Sequence, residues 1–306
     1  MKLVIVDTWG EQPLHPNLVD RLPIKSLQGF TPDKFKGYRP HGHGSWCLWD
    51  CLSQFNQPVD VYMVQRFGPN GENIPDSVWM DAVADIGLTP EDLLNGSWGG
   101  DDDGGGESYY EGIFKPRFKE ILNGAKCMMA AGNDGRREQS YPQVFLVGEP
   151  NIYIVASVNH LGVTSKFSCT AKINKRYPDF AFFGENGLSI DGNTGQILAW
   201  QGTSKSAPNA LGAFGSLEVP ANEVRDYARK LVLEDTDRDG NPNGIHRDYR
   251  SMIAAGGYHH EVGIGVIEDL RQIRMRDTKK GLGAFDMDGS VLNMAPMYHD
   301  FDRLEI

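Results

Sequence analysis

The sequence lacks any excess of positive charge: 30 Lys and Arg stand against 41 Asp and Glu, a formal net charge of -11. Phosphate backbones are bound chiefly by cations, so no nucleic-acid partner is expected. Long apolar runs are also missing. The opening "MKLVIVDTWGEQ" is apolar only from Leu3 to Val6, and Asp7 ends the run. A secretory signal needs a longer stretch and a cleavage site, and a membrane span needs about 20 apolar residues. The expectation is a soluble, cytoplasmic protein with no membrane partner. Its first strand opens at residue 2, so the expectation is either that it folds unaided by a pro-segment or that it is a mature form. Cysteine is scarce. Cys47, Cys51, Cys127 and Cys169 are spaced neither as a zinc cluster nor as a disulfide framework. Reduced, buried thiols fit a cytosolic compartment. No internal repeat of fixed period is visible.

What is present is a chain of 306 residues, 40% hydrophobic and 23% charged. That is enough to bury a sizeable core. Short apolar runs, "LVIVD" (3–7), "VDVYMVQRF" (59–67), "DLLNGSW" (92–98), "KCMMAAG" (126–132) and "NIYIVASV" (151–158), read as strands. Between them lie helical patterns at 45–55, 75–87, 109–123 and 220–234. Asp76 or Ser77 is the expected cap of the second helix and Gly87 its stop. Strands alternating with helices imply an α/β fold: a mostly parallel central sheet with helices on both faces. A single domain over residues 1–306 is expected, with an insertion at 236–280 before the last helix.

Reactive groups in such sheets gather at the carboxyl ends of strands. Asp7 ends the first strand, Asn133 follows the "CMMAA" strand, and Ser204 follows "ILAW" and opens a helix. A serine hydroxyl is a poor nucleophile unless a base lies within reach and a third group orients that base. His43 is the candidate base. Gly42 and Gly44 flank it and allow close backbone approach, and a helix start fixes its position. Asp7 is the candidate orienter. The Ser204 N–H and the Asn133 amide are candidate oxyanion donors.

Taken together these stretches resemble the subtilisin-type serine proteases, the subtilase family. "VIVDTW" resembles the family's V-x-D-T-G strand and "GHGSWC" its G-H-G-T-H-V motif, which puts the base role on His43 and not His41. "NGSWGG" (95–100) resembles the substrate strand N-x-S-x-G-G, and "AAGNDG" (130–135) matches the A-A-G-N-x-G oxyanion loop. "GTSKSAP" (202–208) resembles G-T-S-M-A-x-P, and "GLGAFDM" (281–287) resembles G-x-G-x-x-D. The order Asp, His, Ser is also the subtilisin order. The resemblance implies a three-layer subtilisin-like fold and a serine endopeptidase that forms an acyl-enzyme. Catalysis would rest on Asp7, His43 and Ser204, with Asn133 stabilising the oxyanion. Ser97, Trp98, Gly99 and Gly132 would bind an extended protein or peptide substrate. Val144 would sit near the floor of an apolar or mixed primary pocket.

The chain departs from the family pattern at Trp46, at Lys205-Ser206 and at Asn209. Lys205 is expected either at the cleft mouth or in solvent. Cys47, Cys51, Trp46 and Trp49 are expected to be core residues of the His43 helix. "DTDRDGNPNGIH" (235–246) opens like a calcium loop, but its twelfth position is His246 and not Glu. A structural Ca²⁺ on Asp235, Asp237 and Asp239 is one reading, and a solvated acidic turn is the other. No cofactor is required for the chemistry. His259, His260 and Glu261 are adjacent and would point different ways, which argues against a metal site there. Two other classes of function stay open: a pseudoprotease that binds extended peptides without cutting them, and a serine hydrolase of small esters.

Overall fold

The computed structural model describes residues 1–9, 13–38, 41–55, 57–68, 71–100, 105–135, 140–159, 162–170, 176–234, 262–264 and 267. All of them belong to the first of two units, Met1–Glu268. Asp235, Asp237, Asp239, the triplet 259–261, the segment "GLGAFDM" and all but a few residues of 236–280 lie outside the described residues.

Seven strands form the main sheet: β1 (Lys2–Thr8), β2 (Ile24–Phe30), β3 (Val59–Phe67), β4 (Leu93–Gly96), β5 (Lys126–Ala130), β6 (Ile152–Val158) and β7 (Phe180–Phe183). Their order is β2-β3-β1-β4-β5-β6-β7, and every neighbouring pair is parallel. Parallel strands need crossovers, and the crossovers cover both faces. The inner strands are accordingly apolar throughout: Leu3 to Val6, Cys127 to Met129 and Ile152 to Ala156 are buried. The α/β architecture expected from the alternating runs is what the chain adopts.

Chain order reverses at β1, with β3 and β2 on one side and β4 to β7 on the other. At such a switch point the flanking crossovers diverge and leave a crevice beyond the carboxyl ends of the strands. Asp7 stands at that end of β1, and Ser97 follows β4 directly.

Two helices bring the remaining groups to the crevice. Helix His43–Leu52 starts with the histidine itself, and Gly42 is its N-cap. Helix Thr203–Ser216 is buried from Thr203 to Gly215 and lies against β4 to β7 and against the histidine helix. Its depth of burial requires small residues at the contacts. A Cβ on Gly212 would stand 2.1 Å from the Cys51 carbonyl oxygen, so only glycine allows the two helices to come this close. The obstacle is backbone, which cannot rotate aside. Gly212→Ala is expected to destabilise the fold by about 1–3 kcal/mol through overpacking, despite alanine's better helix propensity. A thermal midpoint equal to the parent's would contradict that packing argument.

One strand was misplaced by the linear reading. "ILAW" is not part of the parallel sheet. It forms β9 (Ile197–Trp200), paired antiparallel with β8 (Gly187–Ile190) in a separate two-stranded sheet. Ser204 therefore reaches the crevice on a helix that crosses the main sheet, and not from the end of a sheet strand. Helix Asp76–Ile86 also differs in detail. Its N-cap is Pro75, with no side-chain capping bond, while Gly87 ends it in the left-handed conformation at φ 64° as expected.

Candidate active site

β1 delivers Asp7 to the crevice almost completely buried, at 1% exposure. Its Oδ1 accepts the Thr8 N–H at 2.6 Å. His43 Nδ1 lies 2.7 Å from Asp7 Oδ1 and 3.0 Å from Oδ2. A carboxylate only accepts, so Nδ1 carries the proton and the Nε2 lone pair is left for the cleft. Local sequence makes this contact reachable. A Cβ on Gly44 would meet the Thr8 carbonyl oxygen at 2.2 Å, and one on Gly42 would meet Asp191 Oδ2 at 2.1 Å. Thr8 adds a tie of its own. Its hydroxyl donates to the His41 carbonyl at 2.8 Å and accepts the Gly44 N–H at 2.9 Å. Burial pulls the His43 pKa down, but the Asp7 charge, the Asp7 hydrogen bond and the charge of Asp50 outweigh it. The net shift is upward.

Ser204 is the second residue of its helix and is 9% exposed. At that position its N–H has no intrahelical acceptor. Gly202, at φ 146°, provides the turn into the helix. Asn133 faces the same point. Its Oδ1 accepts both the Thr203 N–H at 2.9 Å and the Thr203 hydroxyl at 3.0 Å. Those two donors require oxygen at that end of the amide and leave Nδ2 at the other. The Thr203 hydroxyl in turn accepts the Gly132 N–H at 3.0 Å. Gly132 has φ 101°, which favours glycine. Thr203 thus ties the asparagine loop to the serine helix, a link that spans 70 residues of sequence.

Asp7, Thr8, His41, His43, Ser97, Gly99, Gly132, Asn133, Thr203 and Ser204 all border one cleft of about 360 Å³. His43 and Ser204 are brought to this cleft without a direct hydrogen bond between them. The Ser204 hydroxyl donates instead to the Ser97 carbonyl at 3.3 Å, and the Ser97 hydroxyl donates to the Ser204 carbonyl at 2.9 Å. Trp98 also borders the cleft, but its side chain is 5% exposed and packs edge-on against Trp79 and Phe114. The Gln143 amide donates to its carbonyl. Val144 lies in the short helix Gln143–Leu146 and does not border this cleft.

The surroundings of the histidine helix correct two expectations. Lys205 faces neither the cleft mouth nor solvent: its Nζ stands 2.7 Å from Asp50 Oδ1, with both side chains under 5% exposed. Trp46 is only half-buried, with its ring 6.0 Å from that of His43. Its indole N–H donates to Asp191 at 3.1 Å. Cys47 is buried as expected, yet its Sγ lies 3.7 Å from Asp7 Oδ2 and 3.9 Å from His43 Nδ1. One helical turn explains the approach, since residues four apart share a face. Burial and the Asp7 charge push the thiol far above its ordinary range, which rules against a thiolate nucleophile. All four cysteines are free and buried. Among the described residues no helix is long and apolar enough to cross a membrane.

The family profile described as "Subtilase family" matches residues 50–251, about two-thirds of the chain, a span that includes Asn133 and Ser204. A search of curated proteins returned no match. Among solved structures, the prenylagaramide maturation protease PagA superposes with TM-score 0.60 at 17% identity, covering 90% of this chain and 92% of that one. A mutant of the protease domain of PatA gives 0.57 at 16%, covering 93% and 97%. A cold adapted subtilisin-like serine proteinase gives 0.54 at 18%, covering 79% and 86%. At these identities the likeness is one of fold.

Proposed function

This chain belongs to the subtilase family of serine peptidases, and we propose that it is an endopeptidase acting through Asp7, His43, Ser204 and Asn133. The observation that carries the reading is the 2.7 Å contact from His43 Nδ1 to Asp7 Oδ1, at the rim of the cleft that Ser204 also borders. Rotation about the Ser204 Cα–Cβ bond releases the hydroxyl from the Ser97 carbonyl and turns it toward His43. His43 Nε2 then takes the proton as Oγ attacks the peptide carbonyl. Asp7 stays ionised and stabilises the imidazolium. The tetrahedral oxyanion is held by the Ser204 N–H and Asn133 Nδ2, at the positive end of the helix dipole. His43 returns the proton to the leaving amine. Water then hydrolyses the acyl-enzyme by the same steps.

The substrate would bind extended, as a strand added beside residues 97–99. The Ser97 carbonyl, freed when the serine rotates, is the natural acceptor for a substrate N–H. The Trp98 carbonyl is already occupied by Gln143. Gly99 borders the cleft and carries no side chain to obstruct the peptide.

Asn133→Ala tests the oxyanion assignment. Serine proteases that lose such a donor typically lose about 10²–10³ in kcat with little change in KM. Steady-state kinetics on a peptide substrate would show it, and an unchanged kcat would remove Asn133 from the mechanism. The bond from the Ser204 hydroxyl to Ser97 favours a second reading, a peptide binder whose serine is never activated. A fluorophosphonate that labels Ser204 would refute that reading, and failure to label the folded chain would favour it.

A further inference from the structure

The residue after the nucleophile is a buried lysine, and its partner lies on the histidine helix. Lys205 Nζ to Asp50 Oδ1 is 2.7 Å, and the two side chains are 3% and 4% exposed. Nζ also reaches the Leu188 carbonyl at 3.4 Å and sits 5.3 Å from the Trp200 ring centroid. Asp50 Oδ2 is buried and makes no hydrogen bond. Burial raises the Asp50 carboxyl to about 6 against the opposing pull of Lys205, the Trp200 indole and His43.

Packing alone does not account for an ion pair here. Removing two charges from water is costly, and apolar residues of similar volume often serve stability as well or better. The position of the pair is more informative. Lys205 lies one residue beyond Ser204. Asp50 lies seven residues beyond His43, on the same helix face and about 10 Å along the axis. The pair joins the element that carries the base to the element that carries the nucleophile. It also leaves the lysine charge beside the site compensated. The titratable and charged groups acting on the His43 ring are Asp7 from β1, His41 from the preceding loop, and Cys47 and Asp50 from its own helix, with Lys205 of the serine helix paired to Asp50. Asp191 stands behind Trp46. Asp50 acts on the His43 charge in the same direction as Asp7.

We propose that Asp50 and Lys205 are positioning residues for catalysis: a buried ionic clamp that holds the histidine helix to the serine helix, with Asp50 as a second anion stabilising the His43 imidazolium. The proposal rests on the triad reading above. Neither residue borders the cleft.

The test uses two variants and two readouts. In a Ser204→Ala background, where turnover is not needed, the His43 ring is titrated by NMR with and without Asp50→Asn. Loss of Asp50 is expected to move the His43 titration to lower pH. In the active chain, Asp50→Leu combined with Lys205→Met removes both charges, so no uncompensated ion is left to unfold the protein. That double variant is expected to fold with a similar thermal midpoint, yet to lose about 10-fold in kcat, the scale of a small misplacement of base against nucleophile once the clamp is gone. KM should be unchanged, and the acid limb of kcat against pH should move less than the His43 titration does in Asp50→Asn, because the two charges leave together. An unmoved His43 titration in Asp50→Asn, or a double variant with parental kcat, would overturn the clamp and leave the triad reading intact. Hydrolysis at the parental rate in Ser204→Ala would overturn the triad reading instead.

Discussion

Replacing Ser204 by alanine is expected to lower kcat/KM on an unfolded protein substrate by about 10⁴-fold or more, a magnitude typical of serine proteases that lose the nucleophile. The change removes one oxygen. Ser204 is 9% exposed and its hydroxyl makes a single 3.3 Å bond to the Ser97 carbonyl, so the fold should survive. Thermal unfolding should change by less than about 1 kcal/mol. Residual activity should be far above water's, because Asn133 and the substrate strand still bind the reacting carbonyl. Covalent labelling by a fluorophosphonate should disappear altogether. Hydrolysis that persists at parental rate in a folded, unlabelled variant would sink the nucleophile assignment. Loss of hydrolysis together with loss of fold would not test it, so circular dichroism belongs in the same experiment.

Asp7→Asn is the second large effect, with an expected loss of about 10⁴ in kcat. The asparagine amide can present its N–H₂ toward Nδ1 and draw the histidine into the other tautomer, with the proton on Nε2 and no lone pair for the serine. The pH profile separates this from a general structural defect. In the parent, burial depresses the His43 pKa while Asp7 and Asp50 raise it to a net value above 6.5. His43 must be neutral to act as base, so activity rises as pH climbs through that value. Without the Asp7 charge burial dominates, and the limb should shift to lower pH even as the plateau falls. A variant with a reduced plateau and an unmoved limb would show that Asp7 does not govern the His43 charge.

Much of the site was legible because its requirements are local. A strand ending in Asp7 needs only a buried apolar run cut off by an acid. The need for Gly42 and Gly44 follows from close approach beside His43, and the structure shows it at the Thr8 backbone for Gly44 and at the Asp191 side chain for Gly42. The asparagine loop and the serine turn carry their own glycines, Gly132 and Gly202, at positive φ. The parallel sheet was readable from the alternation of apolar runs with helical patterns. "ILAW" was misplaced because a short apolar run looks the same in a hairpin as in a sheet. Lys205 was misplaced because a lysine is almost never buried unless paired, and its partner is 155 residues away in sequence. The half-exposed Trp46 and the buried Cys47 beside Asp7 likewise depend on which side of the histidine helix meets β1.

By itself the sequence determined the chemical inventory and its order: an acid at a strand end, a histidine at a helix start, an asparagine loop and a serine at another helix start. These are short-range properties, since each is set by backbone conformation within a few residues. Only the tertiary structure decided which groups touch. The Thr203 tie to Asn133, the Ser204 contact with Ser97 and the Lys205–Asp50 clamp all join distant segments. The clamp exists because Gly212 lets the two helices close on each other, and no local pattern encodes the distance at which helices pack.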